Sequence, residues 1–525
     1  MDLDELLSFQ PLGKHSLEER DESRPSKTSK AEGNGLSDQE KLLLLQNIDD
    51  DDEEPLEVLE AGGVKRMLLS LEKKVLRNQE MRIKFPDLPE KFMESELELN
   101  DELQKLHIIA TVPEYYPVLV ETRVLVTLLG LLGHDNTDIS LTVVDLLQEL
   151  TDVDTLSENQ EEAEGLVDAL LVEQVIALLV TNLERLDERS KEEGEGVYNS
   201  LSILENMCEV RNNEVMLAAG EQGLLVWLLK RVRIRSYDPN KLYASEILAI
   251  MLQGHETNQR LLGEKDGIDV LLQALAYYKR RDPGGLDEIE LMENLFDCLC
   301  AALMFSPNRE RFLKGEGLQL MILMLKEKKM SGNSALKVLN YSLSTPKGAD
   351  NCNKFVEVYG LRSLFPCFMK TPKKSKKVGT SKSEHEEHVC SIVAALFQNV
   401  TTGAGRERLI GKFLERDHEK VERLVELHFS YSRRLKEVSV GGEDEEDVYL
   451  ARLDAGLYTL QMVDYVLAEL CLCEKGSIRE RVVTLLGVHG ESLEAIQQVL
   501  REYAVSLGDA DTTKTLNQLA DKLLP

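Results

Sequence analysis

One Trp, 14 Pro and an aromatic content of 5% in 525 residues argue against a β-rich fold and leave helix as the default. No apolar run approaches the roughly 20 residues that a membrane-spanning helix needs. The opening MDLDELLSFQPLGKHSLEER lacks the charged, apolar and small-residue order of a signal peptide. Positive charge is also short. Against 94 Asp and Glu stand 62 Lys and Arg, a net charge of −32. Bare nucleic acid must find cations to release its counterions, so no direct nucleic acid is expected, and basic peptides are the natural partners. The eight cysteines, Cys208, Cys298, Cys300, Cys352, Cys367, Cys390, Cys471 and Cys473, form no Cys-x-x-Cys, which removes the ordinary zinc and thioredoxin patterns. Buried free thiols in a reducing compartment are expected instead.

Catalytic constellations are missing as well. GAGRERLIGK at 403–412 resembles a phosphate loop, but its second Gly falls one place late and Phe413 stands where Ser or Thr would hold magnesium. Arg408 occupies the third glycine position of a dinucleotide fingerprint. In SEHEEHVC, His385 and His388 are three apart rather than four, so the metalloprotease helix is excluded and a solvated helix start is expected. No Gly-x-Ser-x-Gly elbow occurs. No cofactor and no enzymatic activity are expected.

What the chain does have is a recurring phrase, in which an Asn-led amphipathic stretch and a Gly precede a Leu-rich run. It reads Asn213 to Gly223 then LLVWLLK, Asn258 to Gly267 then IDVLLQAL, and Asn308 to Gly317 then LQLMILML, with a weaker copy from Asn353 to Gly360 then LRSLFPCFM. Helical units at a period of about 40–50 residues cannot bury their apolar faces alone and stack into a solenoid that offers a long binding surface. In LLGHDNTDISLTVVDLLQEL a Leu-rich helix ends at Gly133, Asn136 or Thr137 caps the next, and Ile139 to Leu150 supplies a second helix. That is the back half of an armadillo-type unit. The expected fold is therefore all-α, an armadillo-type right-handed superhelical solenoid with helical caps and a disordered acidic N-terminal tail. Its divisions are a tail at 1–55, an N-terminal cap at 56–110, repeats at 111–475 and a C-terminal cap at 476–525. Gln39 to Ile48, inside the tail, reads either as a transient helix or as a docking motif.

Carboxylates and amides recur on the second helix of each pair, which forms the inner face of such a solenoid. Asp145 and Glu149 lie four apart, Glu205 and Asn206 take the matching place in the next unit, and Glu246 and Asn294 follow. Two readings stand: an acidic ladder that pairs a Lys- or Arg-rich extended peptide, or ordinary surface acidity. The one dense basic run, Lys370 to Lys377, contains Lys373, Lys374, Lys376 and Lys377. It reads as a nuclear-import signal, as a patch for RNA or an acidic tail, or as a solvated loop. Importin-type grooves hold basic peptides between stacked Trp residues; here the lone Trp227 sits in a Leu-rich run and is assigned to the core.

The strings IKFPDLPEKFMESELELND, LGLLGHDNTDISLTVVDLLQELTDVDTL, NRERFLKGEGLQLMILML, EHEEHVCSIVAAL and RLDAGLYTLQ closely resemble the beta-catenin-like family of armadillo proteins, in the same order, from about Leu56 to near the C-terminus. The resemblance implies a nuclear, non-enzymatic adaptor attached to the spliceosome. Its implied partners are the pre-mRNA-processing nineteen complex and that complex's cell-division-cycle-five-like subunit, reached through basic, localisation-signal-like segments. The tail departs from the family pattern of a compact basic import signal followed by a long acidic tract. Lys14, Arg20, Arg24, Lys27 and Lys30 are dispersed, and only the acidic stretch Asp49 to Glu54 persists. A karyopherin-like carrier of basic cargo and a junction adaptor remain alternatives, the second disfavoured by the net charge. The Leu-rich end helices leave a homodimer and intramolecular burial equally open.

Overall fold

The computed structural model describes residues 61–344, 346–371, 381–438 and 445–524. Helices and short 3-10 turns make up all of its regular structure, and no strand occurs among the described residues. The acidic tail, the helix expected at Gln39 to Ile48 and the basic residues Lys373, Lys374, Lys376 and Lys377 lie outside the described residues. Two compact units divide the rest, with the boundary between Leu261 and Leu262.

In the unit ending at Leu261, α1 (Ala61–Lys84) and α2 (Met93–Ala110) pack as a pair. Three armadillo-like triplets follow: α3 (Tyr116–Glu121), α4 (Val124–Leu131) and α5 (Thr137–Leu150); α7 (Gln160–Val172), α8 (Val175–Leu183) and the first part of α9 (Lys191–Glu221); then the rest of α9, α10 (Leu224–Val232) and α11 (Pro239–Leu252). The short α6 (Val153–Glu158) links the first two triplets. Helix α9 is two helices joined at Arg211, whose φ of −137° and ψ of 62° break the helical path.

The boundary falls inside α12 (Glu256–Glu264). Beyond it come α13 (Gly267–Leu275) and α14 (Leu286–Ala302), then the triplets α15 (Ser306–Lys314), α16 (Gly317–Glu327) and α17 (Ser331–Leu343), and α18 (Ala349–Glu357), α19 (Leu361–Met369) and α20 (Lys382–Asn399). Helices α21 (Gly403–Leu414), α22 (Glu419–Glu437), α23 (Glu445–Asp454) and α24 (Leu457–Cys471) lead to the closing α25 (Gly476–Val488), α26 (Leu493–Ser506) and α27 (Ala510–Leu523). Helices α23 and α24 are separated at Gly456. Its φ is +101°, and a Cβ there would lie 2.5 Å from the Tyr431 ring, so the chain turns where only Gly fits.

The third helix of each triplet forms the spine. In the first unit α2, α5, α9 and α11 pack in sequence, and in the second α14, α17, α20 and α24 do the same. Their inward residues are fully buried, among them Leu103, Val143, Leu147, Leu201, Leu204, Ile247 and Leu248 in the first unit and Met292, Leu336, Leu339, Ile392 and Leu467 in the second. Caps fall where polar residues precede these helices. Asn136 Oδ1 accepts from the Asp138 amide at 3.0 Å, so of the two caps offered by the sequence it is Asn136 and not Thr137 that serves. Asp238 Oδ1 accepts from Lys241 N at 2.9 Å, and Ser381 with Glu384 closes a capping box.

The recurring Asn has a structural task. Asn258 Nδ2 donates at 2.9 Å to the carbonyls of Met216 and Met251, Asn308 Nδ2 to Ala302 O at 2.9 Å, and Asn351 Nδ2 to Ser342 O at 3.1 Å. Each ties the first helix of a triplet to the last carbonyls of the preceding third helix, which have no intrahelical partner. Two sequence assignments shift accordingly. Asn351, not the exposed Asn353, fills this place in the weak copy, and in the triplet starting near Asn213 the buried Val215 stands two residues beyond an exposed Asn213.

The recurring Gly opens the second helix. An ideal Cβ would lie 2.4 Å from the Leu262 side chain at Gly267, 2.2 Å from the Phe312 ring at Gly317 and 2.5 Å from the Phe355 ring at Gly360. Leu262, Phe312 and Phe355 are completely buried, so glycine is required for close packing. The left-handed backbone falls one residue earlier, at Asp266, Glu316 and Tyr359, with φ of 57°, 60° and 63°. Gly317→Ala should therefore cost about 1–3 kcal/mol through overpacking. Gly411→Ala, with nothing within 4 Å of its Cβ, should be neutral or stabilising by up to about 1 kcal/mol. Thermal denaturation of the two variants checks this, and equal melting temperatures would contradict it.

Candidate protein-binding face

On the open side of the first unit's spine, polar side chains bridge successive helices. Thr142 Oγ1 donates to Asn100 Oδ1 at 2.8 Å, His107 Nδ1 lies 2.7 Å from Glu149 Oε2, Asn199 Nδ2 donates to Asp145 Oδ1 at 2.8 Å, and the Tyr243 hydroxyl donates to Glu205. These contacts hold side chains in place that would otherwise be free to rotate. A hollow of about 470 Å³ opens across α2, α5 and α9, lined by Asp145, Glu149, Glu192 and Glu195 with His107, Asn199, Gln104, Gln148 and Leu141. Four carboxylates face it and His107 is its one ionisable base. Such a hollow attracts cations and, with carboxylates on neighbouring helices, suits a chain that carries several of them.

Asp145, Glu149, Glu205, Asn206 and Glu246 all lie on α5, α9 and α11 of this unit, and Asn294 lies on α14 of the other. Asp145 and Glu149 line the hollow together. Glu205 is half-buried under Tyr243. Asn206 is only 6% exposed, so it offers a ligand almost no surface. Glu246 and Asn294 are half-buried and already engaged within the protein. Sequence reading missed His107, Glu192, Glu195 and Asn199; the acidic opening of α9, KEEGEGVYN, with acids and Asn at three- and four-residue spacing, carried the signal.

The corresponding side of the second unit is also bridged, but differently. Ser334 Oγ donates to Glu293 at 2.8 Å, Lys337 Nζ pairs with Asp297 at 2.7 Å, Asn340 Nδ2 meets His388 Nδ1 at 3.3 Å, and the Ser391 and Tyr458 hydroxyls are 3.1 Å apart. His385 and His388 do not begin a solvated helix. His385 is 4% exposed with Nε2 3.2 Å from Cys367 O. Burial, assisted by the Lys337 charge, lowers the His388 pKa to about 4, so it stays neutral. Burial and the nearby Glu384 raise the Glu387 pKa to about 7.

The sites read as non-catalytic in sequence are structurally occupied. In GAGRERLIGK, Arg406 donates to Phe397 O at 2.9 Å and pairs with Glu469 at 2.6 Å, while Arg408 donates to Val356 O at 3.4 Å. Among the described residues no group of three His, Cys, Asp or Glu could hold a metal ion. All eight cysteines are free, six of them buried, and burial pushes the Cys208 thiol up to about 12. No single described helix is long and apolar enough to cross a membrane. Trp227 is 7% exposed within α10 and belongs to the core.

Sequence comparisons show the family to which the chain belongs. The chain is 55% identical over 468 residues to beta-catenin-like protein 1 of Homo sapiens, covering 86% of this chain and 83% of that one. It is 32% identical over 487 residues to the beta-catenin-like protein 1 homolog of Schizosaccharomyces pombe, covering 90% and 84%. A solved engineered protein aligns over 81% of this chain and 95% of its own, with a TM-score of 0.48 and 14% identity. The family model described as catenin-beta-like, Arm-motif containing nuclear matches residues 41–501, and the chain belongs to that family.

Proposed function

We propose that the protein is a non-catalytic armadillo adaptor of the nucleus that acts in pre-mRNA splicing and holds basic, localisation-signal-like segments of partner proteins on its acidic face. The hollow carries this reading, because it sets Asp145, Glu149, Glu192 and Glu195 together on the α2–α5–α9 face. The splicing setting, with the nineteen complex and its cell-division-cycle-five-like subunit as partners, rests on the resemblance of the sequence strings. The family's description as nuclear supports the location. In this reading Lys373, Lys374, Lys376 and Lys377 serve nuclear import. A karyopherin-like mechanism is less well supported, since the lone Trp227 is buried and cannot clamp a peptide.

Exposed ion pairs contribute about 0–1 kcal/mol each, so affinity comes from several contacts and falls as salt rises. Glu149→Lys reverses one charge at the hollow's rim and should weaken binding of a fluorescent Lys/Arg-rich peptide by about three- to tenfold at low salt, with unchanged helical circular dichroism. Unchanged affinity in the folded variant would refute the acidic-face reading. Affinity purification from nuclear extract at low and high salt tests the partners: salt-sensitive recovery of nineteen-complex subunits supports the splicing role, and recovery of transport factors in their place refutes it.

A further inference from the structure

A second hollow of about 790 Å³ opens between α9 and α11, with Glu195, Tyr198, Arg231 and Ile234 in its lining. Glu195 lines both hollows, so the two meet at that side chain. Most of the charge in the second hollow is already committed. Arg231 is held by Glu188 at 2.7 Å and by Asp238, and Asp187 is held by Arg189 at 2.6 Å. Among the described residues Glu195 pairs with Lys191 alone, 3.3 Å away on the same helix, with both side chains open to solvent. Such a pair gives way readily to a better placed cation.

Beside Glu195, three residues on along α9, Tyr198 is 49% exposed. Its ring lies 4.9 Å from that of Tyr243 at an interplanar angle of 47°, and the Tyr243 hydroxyl is fixed on Glu205. Tyr198 is therefore supported by a neighbouring ring that cannot swing away, while half of its own surface stays bare. A carboxylate next to an anchored, exposed aromatic ring matches one cation better than others. The guanidinium is planar and weakly hydrated, so it stacks on the ring while its N–H groups reach the carboxylate, whereas a Lys ammonium is a compact, strongly hydrated charge.

We propose that Tyr198 and Glu195 form an arginine subsite on the binding face, which seats an arginine of an extended basic segment of a partner protein while neighbouring basic residues occupy the four-carboxylate hollow. The subsite rests on the acidic-face reading and adds a preference that charge alone does not create. Its test uses the full chain and two fluorescent peptides of one sequence, one with only Arg and one with only Lys at its basic positions. The parent should bind the Arg peptide about three- to tenfold more tightly. Tyr198→Ala should bring the two affinities together by weakening the Arg peptide, and Tyr198→Phe should keep the difference. Glu149→Lys should weaken both peptides alike. An Arg/Lys ratio unchanged in a folded Tyr198→Ala, with Glu149→Lys still weakening both, would overturn the subsite and leave the acidic face standing. Binding indifferent to both substitutions, or no binding by the parent, would overturn both.

Discussion

Replacing His428 with Leu should destabilise the second unit by about 3–5 kcal/mol. His428 lies on α22 with 1% of its side chain exposed. Its Nδ1 is 2.6 Å from Oδ1 of Asp464 on α24, and its Nε2 is 3.1 Å from Oε2 of Glu491, in the turn between α25 and α26. The Asp464 side chain is fully buried, and Lys436 reaches Glu491 at 3.5 Å from outside. Burial by itself would lower the His428 pKa. The charges and hydrogen bonds of Asp464 and Glu491 outweigh burial and raise it to about 9, so the ring is an imidazolium at neutral pH. Burial raises the Asp464 pKa even beside that imidazolium, and without the ring the side chain is left in the interior as an uncompensated carboxylate or must bind a proton.

The effect has a pH signature. An unfolded His has a pKa of about 6.5, so the folded protein holds its proton more tightly than the unfolded chain. The resulting stabilisation is complete below about pH 6.5, declines as pH rises, and is lost above about 9, a difference of about 3 kcal/mol. Denaturation of parent and His428→Leu should follow the transition that moves, since a chain of two units need not unfold in one step. The parent should lose stability between about pH 6.5 and 9. A parent whose stability does not fall over that range would show that His428 acts by packing and not by charge.

The contrast between Asn308 and His428 shows which features local sequence carries. Asn308 could be read because its task is set within one period: it follows the end of the preceding helix by six residues and donates to that helix's carbonyl. Asn351 was displaced by two places in the reading because Asn353 is also polar, and pattern alone does not separate a buried amide from an exposed one. The left-handed turn before most second helices was hidden, since Arg123, Gln174, Asp266, Glu316 and Tyr359 adopt it and Gly223, before α10, is the one glycine among them; at the non-glycine positions the conformation is imposed by packing at the helix junction and not by residue type. The binding face divides similarly. The acidity of Asp145 and Glu149 was legible from spacing on one helix. Their partners were not, because Asn199 is 54 residues from Asp145 and His107 is 42 from Glu149. SEHEEHVC misled for the same reason: its polar letters suggest solvent, while Cys367 and Asn340 come from other helices to meet its two histidines.

Arg423→Met should cost about 3 kcal/mol or more, and the loss should be largely reversed by a second substitution. Arg423 on α22 pairs with Glu386 on α20 at 2.8 Å, and the two side chains are 12% and 5% exposed. Glu386 also accepts from the Tyr431 hydroxyl at 2.9 Å and from Thr371 Oγ1 at 2.7 Å, so one carboxylate gathers α20, α22 and the segment after α19. Removing the guanidinium leaves that carboxylate buried with two neutral donors and with Lys382 3.8 Å away, too little to offset its lost hydration. Glu386→Gln in the Arg423→Met background removes the uncompensated charge; Tyr431 and Thr371 bond opposite carboxylate oxygens, so the amide oxygen accepts from one hydroxyl while the amide nitrogen donates to the other. The double variant should recover to within about 1.5 kcal/mol of the parent, because replacing both members of a buried ion pair is often near neutral. Urea denaturation of the parent, both single variants and the double variant measures this coupling. Additive losses would mean that the two residues contribute independently, through the packing of their methylenes, and that the ion pair does not join α20 to α22.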